Sequence, residues 1–347
     1  MANTLTKHEK VYRALEREIR DGDWAPGDRL PSEAELVTRF GVSRITVGRA
    51  VRDLQRAGLV ERRAGSGTYV RTPDASQGGL SFGLLIPDLG ETEIFEPICQ
   101  GMMASPLARE HALLWGSPTG AGATRAERAW HLCRQYVERR VSGVFFAPLE
   151  RSAEKDEVNR RIERALEDAR IPVVLLDRPV GAYPERGGGD LVGIDNPRAG
   201  YIITDHLLLA GAQRPAFVAL ADSAATVDMR EAGYREALSR RGLPAAPERI
   251  RRLDPDDEDD VRALLETNAD GIVCANDHTA ARLMHTLLAL GVRVPDDVRI
   301  VGIDDVEYAK LLPVPLTTFR QPTRQIGAAA LAAMLERVAH PELPARD

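Results

Sequence analysis

The sequence predicts an α/β protein in two parts: a small α+β head over residues 1–72, and a larger body over residues 80–340 with two parallel sheets. At 347 residues the chain is longer than the roughly 250 residues at which single hydrophobic cores stop growing. The head combines helical patterns with a Gly-rich hairpin pattern, whereas in the body short apolar runs alternate with helical patterns. These observations favour several separate cores.

The composition is that of a globular protein. Hydrophobic residues make up 44% and charged residues 28% of the chain, which argues against disorder and against a fibrous repeat. No stretch approaches the ~20 apolar residues of a membrane helix, and the first ten residues contain no apolar segment typical of a secretion signal. We therefore expect a cytoplasmic protein that does not contact a membrane.

Neither a metal site nor a cofactor is expected from the sequence. Cys99, Cys133 and Cys274 are far apart and lack the C-x-x-C spacing of zinc and redox sites, so each reads as a small buried hydrophobe. The histidines show no metal-ligand spacing either.

Charge is unevenly divided along the chain. Residues 1–72 hold 14 Lys and Arg against 10 Asp and Glu, whereas the remainder holds 32 against 42. Seven Arg lie between Arg39 and Arg63, a segment whose acidic residues are Asp53 and Glu61. An acidic protein with one basic segment suggests local contact with a polyanion.

The head begins with two predicted helices. Apolar residues recur at helical spacing between Lys7 and Asp21. Ser32 stands three residues before Glu35, a spacing at which side chain and backbone cap each other reciprocally, so a second helix starts there. It ends at Gly41, and Ser43 is placed to cap a third helix after a three-residue turn. Two short helices joined by so tight a turn predict a helix-turn-helix.

The third helix has one apolar side and one polar side. The apolar side consists of Val47, Ala50, Val51 and Leu54. The opposite side presents Ile45, Arg49, Arg52 and Arg56. After Gly58, residues 59–63 and 68–70 predict two strands around the turn Gly65-Ser66-Gly67, a hairpin of the kind called a wing. An exposed helix of this width fits the major groove of DNA, although a solvated helix face is the commoner role of such a charge run.

The head resembles the DNA-binding domain of the GntR family of regulators. The motifs that carry the resemblance are G-D-R-L-P-S-E-A-E-L at 27–36, F-G-V-S-R-I-T-V at 40–47 and G-L-V-E-R-R-A-G-S-G-T-Y-V at 58–70. The resemblance implies DNA contacts from Ser43, Arg44 and Thr46 on the third helix and from Gly65, Ser66 and Gly67 on the wing. In one departure, Gly48 stands where the family usually has Arg, and Arg49 follows it; a contact by Arg49 would therefore have a different geometry.

Residues 73–79 are polar, contain Pro and Gly, and lack periodicity, so they predict a flexible linker. Beyond it, apolar runs that alternate with helical patterns predict parallel strands buried on both faces. These runs are Ser81–Ile86, Val141–Phe146, Pro172–Asp177, Pro215–Leu220, Gly271–Ala275 and Arg299–Asp304. A Gly-rich stretch from Val180 to Gly189 interrupts the alternation and predicts a crossing between two lobes, the first of about 80–180 plus 320–340 and the second of about 190–318.

Ligands of open parallel sheets bind beyond the carboxyl ends of strands, so polar residues at those places are candidate ligands. The sequence supplies Asp88, Asp177, Asn276, Asp277, Asp304 and Asp305 there. Asp195 and Asn196 also follow a strand, but a turn role is as plausible as ligand contact, and they are left outside the predicted site. Glu93, Phe95 and Glu96 follow the first strand and could close over a bound molecule, although a lone aromatic residue such as Phe95 more often belongs to the core.

The body resembles the effector domain of the lactose- and purine-repressor family, which is similar to periplasmic sugar-binding proteins. The resemblance rests on V-G-I-D-N-P-R-A-G at 192–200, M-R-E-A-G-Y at 229–234, C-A-N-D-H-T-A at 274–280, V-P-D-D-V-R-I-V-G-I-D-D at 294–305 and L-T-T-F-R-Q-P at 316–322. It implies that the effector ligands are Asp177, Arg230, Asn276, Asp304 and Gln321. For Arg230 and Asp304, a structural ion pair is the alternative. The Arg251–Asp257 region lacks the aromatic residue that relatives often stack on the ligand.

Together, head and body are similar to the arabinose-repressor type. The resemblance implies a repressor that binds a palindromic DNA operator as a homodimer and responds to a small effector, most simply a carbohydrate. A sugar-binding transport receptor is an alternative for the body alone. A nucleotide-dependent enzyme is disfavoured, because neither G-x-G-x-x-G after the first strand of the body, nor G-K-[ST], nor G-x-S-x-G is present. We therefore expect no catalytic residues.

Overall fold

The computed structural model describes residues 7–21, 24, 27–56, 59–63, 66–70, 79–87, 89, 93–116, 124–184 and 188–346. The predicted site residues Gly65 and Asp88, and the linker residues 73–78, lie outside these ranges. The chain divides into two compact units, Met1–Gly79 and Leu80–Asp347.

The first unit contains three helices and a hairpin in the predicted order. They are α1 (Lys7–Asp21), α2 (Glu33–Phe40), α3 (Arg44–Arg56), β1 (Val60–Arg63) and β2 (Gly67–Val70). The strands pair antiparallel, with Val60 opposite Val70 and Arg63 opposite Gly67. Leu15, Leu36 and Leu54, one from each helix, are fully buried together, so this unit has a core of its own.

The second unit begins with the elements of a parallel sheet. They are β3 (Ser81–Leu85), α4 (Phe95–Ala104), β4 (Ala112–Trp115), α5 (Arg125–Glu138), β5 (Gly143–Phe146), α6 (Lys155–Asp168), β6 (Val173–Leu176) and β7 (Asp190–Val192). The strand order is β4-β3-β5-β6-β7, and all pairs are parallel. One face of the sheet packs on α5 and α6 and the other on α4, which makes the first lobe.

A second parallel sheet follows along the chain. Its elements are α7 (Asn196–Leu209), β8 (Pro215–Ala219), α8 (Ala225–Arg240), β9 (Ile250–Arg252), α9 (Glu258–Leu265), β10 (Gly271–Cys274), α10 (Asp277–Ala289), β11 (Arg299–Asp304) and β12 (Thr317–Arg320). The strand order is β12-β11-β10-β8-β9. Helices α7 and α8 cover one face, and α9 and α10 cover the other. The last helix, α11 (Thr323–Ala339), returns to the first lobe and packs beside α4.

The strand Asp190–Val192 corrects the predicted lobe boundary. The sequence places residues from about 190 onward in the second lobe, whereas β7 pairs with β6 in the first sheet, with Leu175 opposite Leu191. The chain crosses to the second lobe only after this strand. The reason is that so short a strand, with only three residues, carries no pattern that assigns it to one sheet or the other.

Close helix contacts hold each lobe together. A Cβ atom on Gly200 of α7 would lie far inside van der Waals distance of the Arg230 carbonyl oxygen of α8, and one on Gly233 would meet the Pro197 carbonyl oxygen. The pairing of α4 with α11 uses glycine in the same way. Because glycine lets α8 approach α7 so closely, Arg230 is brought against the first turn of α7.

Candidate functional site

The turn between α2 and α3 is built as the sequence predicts. Ser32 and Glu35 form the reciprocal cap of α2. Gly41 ends that helix in the left-handed conformation, with φ of 61°, which favours glycine. The Ser43 hydroxyl then accepts a hydrogen bond from the backbone N–H of Thr46 at 3.3 Å and lies 2.8 Å from the Thr46 hydroxyl. These contacts fix the start of α3.

One side of α3 packs in the core, and the other is open. Val47, Ala50, Val51 and Leu54 are buried. On the opposite side the Arg44 side chain is 81% exposed, as is Ile45, and Arg49 is also exposed. Ser43 is exposed and Thr46 is half-buried. The predicted contact residues of this helix therefore lie together at its N-terminal end.

Glu33 connects the start of α3 to the hairpin. Its carboxylate lies 3.4 Å from Arg44 Nε and also pairs with Arg62 of β1. A Cβ atom at Gly48 would have the same carboxylate as its nearest neighbour, at 3.8 Å. The usual Arg of the family at this position would point toward Glu33, so Gly48 leaves that carboxylate to Arg44 and Arg62. Sequence reasoning missed Glu33 because its partners are 11 and 29 residues away.

The described part of the hairpin tip consists of exposed Ser66 and half-buried Gly67. The Ser66 hydroxyl lies 2.6 Å from the Tyr69 hydroxyl. The backbone of Tyr69 forms an isolated antiparallel β-bridge with that of Arg29. Gly67 has φ of 135°, and the Arg29 side chain lies against it, so a side chain there would be strained.

In the second unit, four of the predicted effector residues meet between the two lobes. Arg230 Nη2 lies 3.8 Å from Asp304 Oδ1, and Gln321 Nε2 donates to the same oxygen at 2.7 Å. Asp177, which follows β6 of the first lobe, is close to the same group: burial raises its pKa, and the charge of Arg230 and a hydrogen bond with Gln321 oppose this rise. Arg230 lies on α8, Asp304 ends β11 and Gln321 follows β12, all in the second lobe, so the group spans both lobes.

Two further charged residues and one amide complete this group. Arg178 Nη1 lies 3.0 Å from Glu150 Oε1, and Arg178 Nε lies 3.7 Å from Asp177 Oδ2. Asn196 Oδ1 accepts a hydrogen bond of 2.8 Å from Arg230 Nε. We call the set the cleft cluster: Glu150, Asp177, Arg178, Asn196, Arg230, Asp304 and Gln321.

Sequence reasoning placed Asn196 outside the site and did not consider Glu150 and Arg178. Asn196 is 2% exposed and holds Arg230, whereas its neighbour Asp195 caps α7 by accepting from the Arg198 N–H at 3.0 Å. Arg178 directly follows a predicted ligand, Asp177, and this adjacency is the one signal that could have found it. The pairing of Asn196 with Arg230 spans 34 residues and leaves no local pattern.

Asn276 has a structural role in addition to any contact with a ligand. Its Oδ1 caps α10 by accepting from the Thr279 N–H at 2.8 Å, which leaves the Nδ2 group and the second lone pair of Oδ1 for other partners. The next residue, Asp277, is fully buried; it accepts from the Thr318 hydroxyl at 2.6 Å and from the Val306 N–H at 3.1 Å. Asp277 thereby anchors the segment that carries Asp304.

Burial sets the protonation of the cleft cluster. It raises the pKa of Asp304 to about 7, against the opposing charge of Arg230. It also raises the pKa of Asp177, although Arg178 and Arg230 oppose it. Burial raises the pKa of Glu150 as well, but the charges of Arg178 and Arg151 outweigh it, and the net pKa of Glu150 is lowered.

A cavity of about 580 Å³ opens beside Asp304 and Gln321, within the range of small-molecule sites. Glu93 and Glu96 lie on its rim, with Asp305, Glu307 and Tyr308 on the other side. Phe95 is not a lid: it is fully buried, and its ring lies 5.0 Å from the Arg178 guanidinium. The expectation that Phe95 closes over a ligand is therefore wrong, because its side chain belongs to the core of the first lobe.

The lobes contact each other beside the cavity and beyond it. The Tyr308 hydroxyl donates to Glu93 Oε1 at 3.1 Å. On another side, Lys155 Nζ donates to the Ser223 carbonyl at 2.8 Å. The Ala224 N–H also donates to Glu150 Oε2 at 3.1 Å. Both groups of contacts join the first lobe to the second.

All three cysteines are buried, and burial raises the pKa of Cys99 and Cys133 to about 11. Among the residues that the structure describes, no cluster of His, Cys, Asp and Glu could hold a metal ion. Within the same ranges, no helix combines the length and the apolar character that crossing a bilayer needs.

Comparison with known proteins assigns both units. Residues 7–70 match the model of the bacterial regulatory proteins of the gntR family, and residues 204–347 match the periplasmic binding protein-like domain. The chain therefore joins a gntR-type helix-turn-helix domain to a periplasmic-binding-protein-like domain. Of the cleft cluster, Arg230, Asp304 and Gln321 lie within the range 204–347 of the second match.

Similar proteins include the arabinose metabolism transcriptional repressor of Geobacillus stearothermophilus, 27% identical over 96% of this chain and 92% of that protein. The repressor PurR of Vibrio atlanticus is 29% identical over 59% of this chain and 60% of that protein. Among solved structures, the transcriptional regulator CelR–cellobiose complex superposes with a TM-score of 0.64 and 26% identity over 88% of both chains. These relatives are transcription regulators rather than enzymes.

Proposed function

We propose that this protein is a sequence-specific transcription repressor whose DNA binding is controlled by a small polar effector of the carbohydrate class. The observation that carries the proposal is that one chain holds an exposed Arg-bearing helix backed by its own core and, in a separate unit, a buried polar cluster drawn from two lobes. Similarity to repressors of arabinose metabolism and to a regulator bound to cellobiose supports the effector class.

In this proposal α3 lies in the major groove of the operator. Arg44 is placed to contact a base edge, for which a guanine with two acceptors is the best partner. Ser43, Thr46 and Arg49 contact the adjacent bases and phosphates. The hairpin tip, including Ser66 and Gly67, contacts the backbone.

The effector acts by binding the two lobes unequally in their open and closed arrangements. A molecule that hydrogen-bonds to Asp177 of one lobe and to Arg230, Asn276 and Asp304 of the other favours the arrangement in which the lobes approach. Such a ligand shifts the equilibrium only by its difference in affinity for the two states. We propose induction, in which effector binding releases the operator.

The protein is proposed to bind a palindromic operator as a homodimer, because one head reads a single half-site. The apolar side chains of Met103 and Leu107, 62% and 48% exposed near the end of α4, support an interface on that face. The operator should then contain two half-sites related by a two-fold axis.

Replacing Arg44 by Ala tests the head. The operator is first selected from a random duplex pool with the wild-type protein and then titrated by footprinting. R44A should lower operator affinity by about 10- to 100-fold, the loss expected from one bidentate base contact. Its affinity for random duplex should change much less.

Arg134→Ala provides the control. Arg134 is exposed and lies in the body on α5, so its substitution removes the same charge as R44A at a place outside the head. Equal operator affinities for R44A, R134A and the wild type would reject the placement of α3 in the groove. Failure to enrich any sequence from the pool would reject the regulatory function itself.

A further inference from the structure

The segment that follows α11 returns to the first sheet. Residues 341–346 lie beside β7, where the backbone N–H of Leu191 donates to the carbonyl of Arg346 at 2.8 Å. The Arg346 N–H donates in turn to Asp190 Oδ1 at 3.0 Å. Because β7 is an edge strand, its outer side carries backbone groups that the sheet leaves unpaired. We call residues 341–346 the strap, since they bind this outer side.

Arg337 of α11 joins the strap to β7. Its Nε and Nη2 each donate to the Asp190 carboxylate at 2.9 Å, which makes a two-point contact. Its Nη1 and Nη2 also donate to three carbonyl oxygens of the strap, those of Pro341 at 3.3 Å, of Leu343, and of Pro344 at 2.9 Å. A guanidinium has five N–H groups in a fixed fork, so one side chain holds both partners.

The buried charge of Asp190 fixes the start of β7. Asp190 is 2% exposed, and the Arg337 side chain is 13% exposed. Burial raises the pKa of Asp190, but hydrogen bonds from Arg337 and from the Arg346 N–H outweigh it, and the net pKa is lowered. The Arg346 side chain lies 3.6 Å from the same carboxylate and pairs with Glu336 at 2.9 Å. Removing a partner from so buried a carboxylate is costly, which ties the position of Asp190 to that of Arg337.

The other end of β7 holds Asp177. The Asp177 N–H donates to the Val192 carbonyl at 2.9 Å, and a Cβ atom on Gly193 would lie 3.0 Å from the Asp177 carbonyl oxygen. Asp177 has a φ of 68°, in the left-handed region that side chains other than glycine rarely adopt. Such a conformation persists only where the surrounding structure enforces it. Val192 and Gly193 supply that enforcement, so the backbone of Asp177 depends on the place of β7.

The same strand leads into the start of α7. Asn196 follows Val192 by four residues, donates from Nδ2 to the Ile194 carbonyl at 3.2 Å and accepts from Arg230 Nε at 2.8 Å. β7 pairs with β6 over three residues. Because so short a ladder supplies few hydrogen bonds of its own, contacts on the outer side of β7 add substantially to its hold on the sheet.

We infer that Arg337 is a positioning residue of the effector site: with Asp190 and the strap it holds β7 in the first sheet, and through β7 it positions Asp177 and Asn196. Arg337 does not line the 580 Å³ cavity, so it acts on the site through other residues. The positioning role rests on the proposed function, since it concerns the same effector site. The attachment of β7 by the strap does not depend on that function.

Hydrogen exchange of the full-length protein, read at residue level, tests the attachment without any effector. The decisive group is the Asp177 N–H, which bonds to Val192 and touches neither Arg337 nor the strap. In Arg337→Met it should exchange about 10-fold faster or more, whereas the amides of β10 in the second sheet should keep their rates. Arg134→Met, an exposed change on α5 of the same lobe that removes the same charge, is the matched control and should leave both unchanged.

Two further variants separate the strap from the neutralisation of a buried charge. In the double variant D190N/R337M no buried carboxylate lacks its cation, but the strap carbonyls still lack their donor. The Asp177 N–H should therefore stay fast in this variant, and recovery of the wild-type rate would overturn the role of the strap. A variant that ends at His340 keeps the pair of Arg337 with Asp190 and removes the strap. It should also accelerate exchange at Asp177, and it decides the question if R337M does not fold.

The link to the effector site is measured by calorimetric titration with a panel of free pentoses and hexoses. The sugar that binds the wild type most tightly should bind R337M and the variant ending at His340 about 5-fold more weakly or worse, with R134M unchanged. Equal sugar affinities beside faster exchange at Asp177 would overturn the positioning role. Equal exchange at Asp177 in R337M and R134M, or equal acceleration at Asp177 and in β10, would overturn the attachment of β7. If no sugar binds the wild type, the carbohydrate effector of the proposed function fails, and the positioning role fails with it. Exchange at Asp177 then still decides the attachment.

Discussion

Asp304 lies where burial and a neighbouring cation act in opposite directions. Its side chain is 10% exposed, and its pKa is raised to about 7 from an ordinary value of 3.8. Between these values the folded protein holds a proton that the unfolded chain has released, so the free energy of unfolding falls as the pH rises through this window. Asp304 thus stabilises the fold least when it carries its charge.

Asp304→Asn should remove this dependence. Relative to D304N, the wild type should lose stability from about pH 4 to pH 7, by at most about 1.4 kcal/mol per pH unit, because one group titrates. Thermal unfolding of both proteins at constant ionic strength measures the difference, in which the titrations of groups remote from Asp304 cancel. Parallel curves for the two proteins would show that Asp304 does not titrate in this range.

The predictability of single residues depended on where their partners lie in the chain. The caps at Ser32 and Ser43 were predictable, because each bonds to a backbone group three residues away. Asp177 and Asp304 were predictable as candidates because each follows a buried apolar run, whereas Arg230 could be named only through a family resemblance. Asn196 was missed, because its role exists only once α8 packs on α7.

At the level of elements, the sequence predicted the interior of each sheet and missed its edges. All six apolar runs became strands, and they occupy the inner positions β3, β5, β6, β8, β10 and β11. Of the four edge strands, β4, β9 and β12 were not predicted as strands, and β7 was predicted only as the strand before Asp195, without its place in the first sheet. Their residues are mostly exposed or half-buried, so they lack the continuous apolar run that a doubly covered strand produces.

Gly200→Ala tests the crossing of α7 and α8. The added methyl group would collide with the backbone of Arg230, which cannot move without shifting α8. We expect a loss of about 2–4 kcal/mol in stability, as for severe overpacking, together with a weaker response to effector because Arg230 is displaced. Thermal unfolding and effector titration measure the two effects.

Gly188→Ala is the matched control for this substitution, because a Cβ atom there has no neighbour within 4 Å. It should change the melting temperature by less than about 2 °C, as expected of a surface substitution. If G200A had the same melting temperature as G188A, the close crossing of α7 and α8 would not be needed for the stability of the second lobe.

In the molecule as a whole, the cleft cluster can sense an effector only if effector binding changes the distance between the two lobes. Contacts remote from the cavity then contribute to effector affinity without touching the effector. Lys155 is such a residue: it lies on α6 of the first lobe, and its amine donates to the Ser223 carbonyl of the second lobe. It does not line the 580 Å³ cavity.

Lys155→Met should therefore weaken effector binding from a distance. The substitution keeps the apolar stem and removes one charged hydrogen bond between the lobes, worth about 1 kcal/mol, so the effector dissociation constant should rise about 3- to 10-fold. Effector release of the operator should shift to higher concentration by the same factor, whereas operator affinity without effector should not fall. Lys310→Met, an exposed change of the same kind in the second lobe, is the control. Identical effector affinities for K155M and K310M would mean that the approach of the lobes is not coupled to effector binding. In a rigid cleft, the loss of a contact that the effector does not touch would leave effector affinity unchanged.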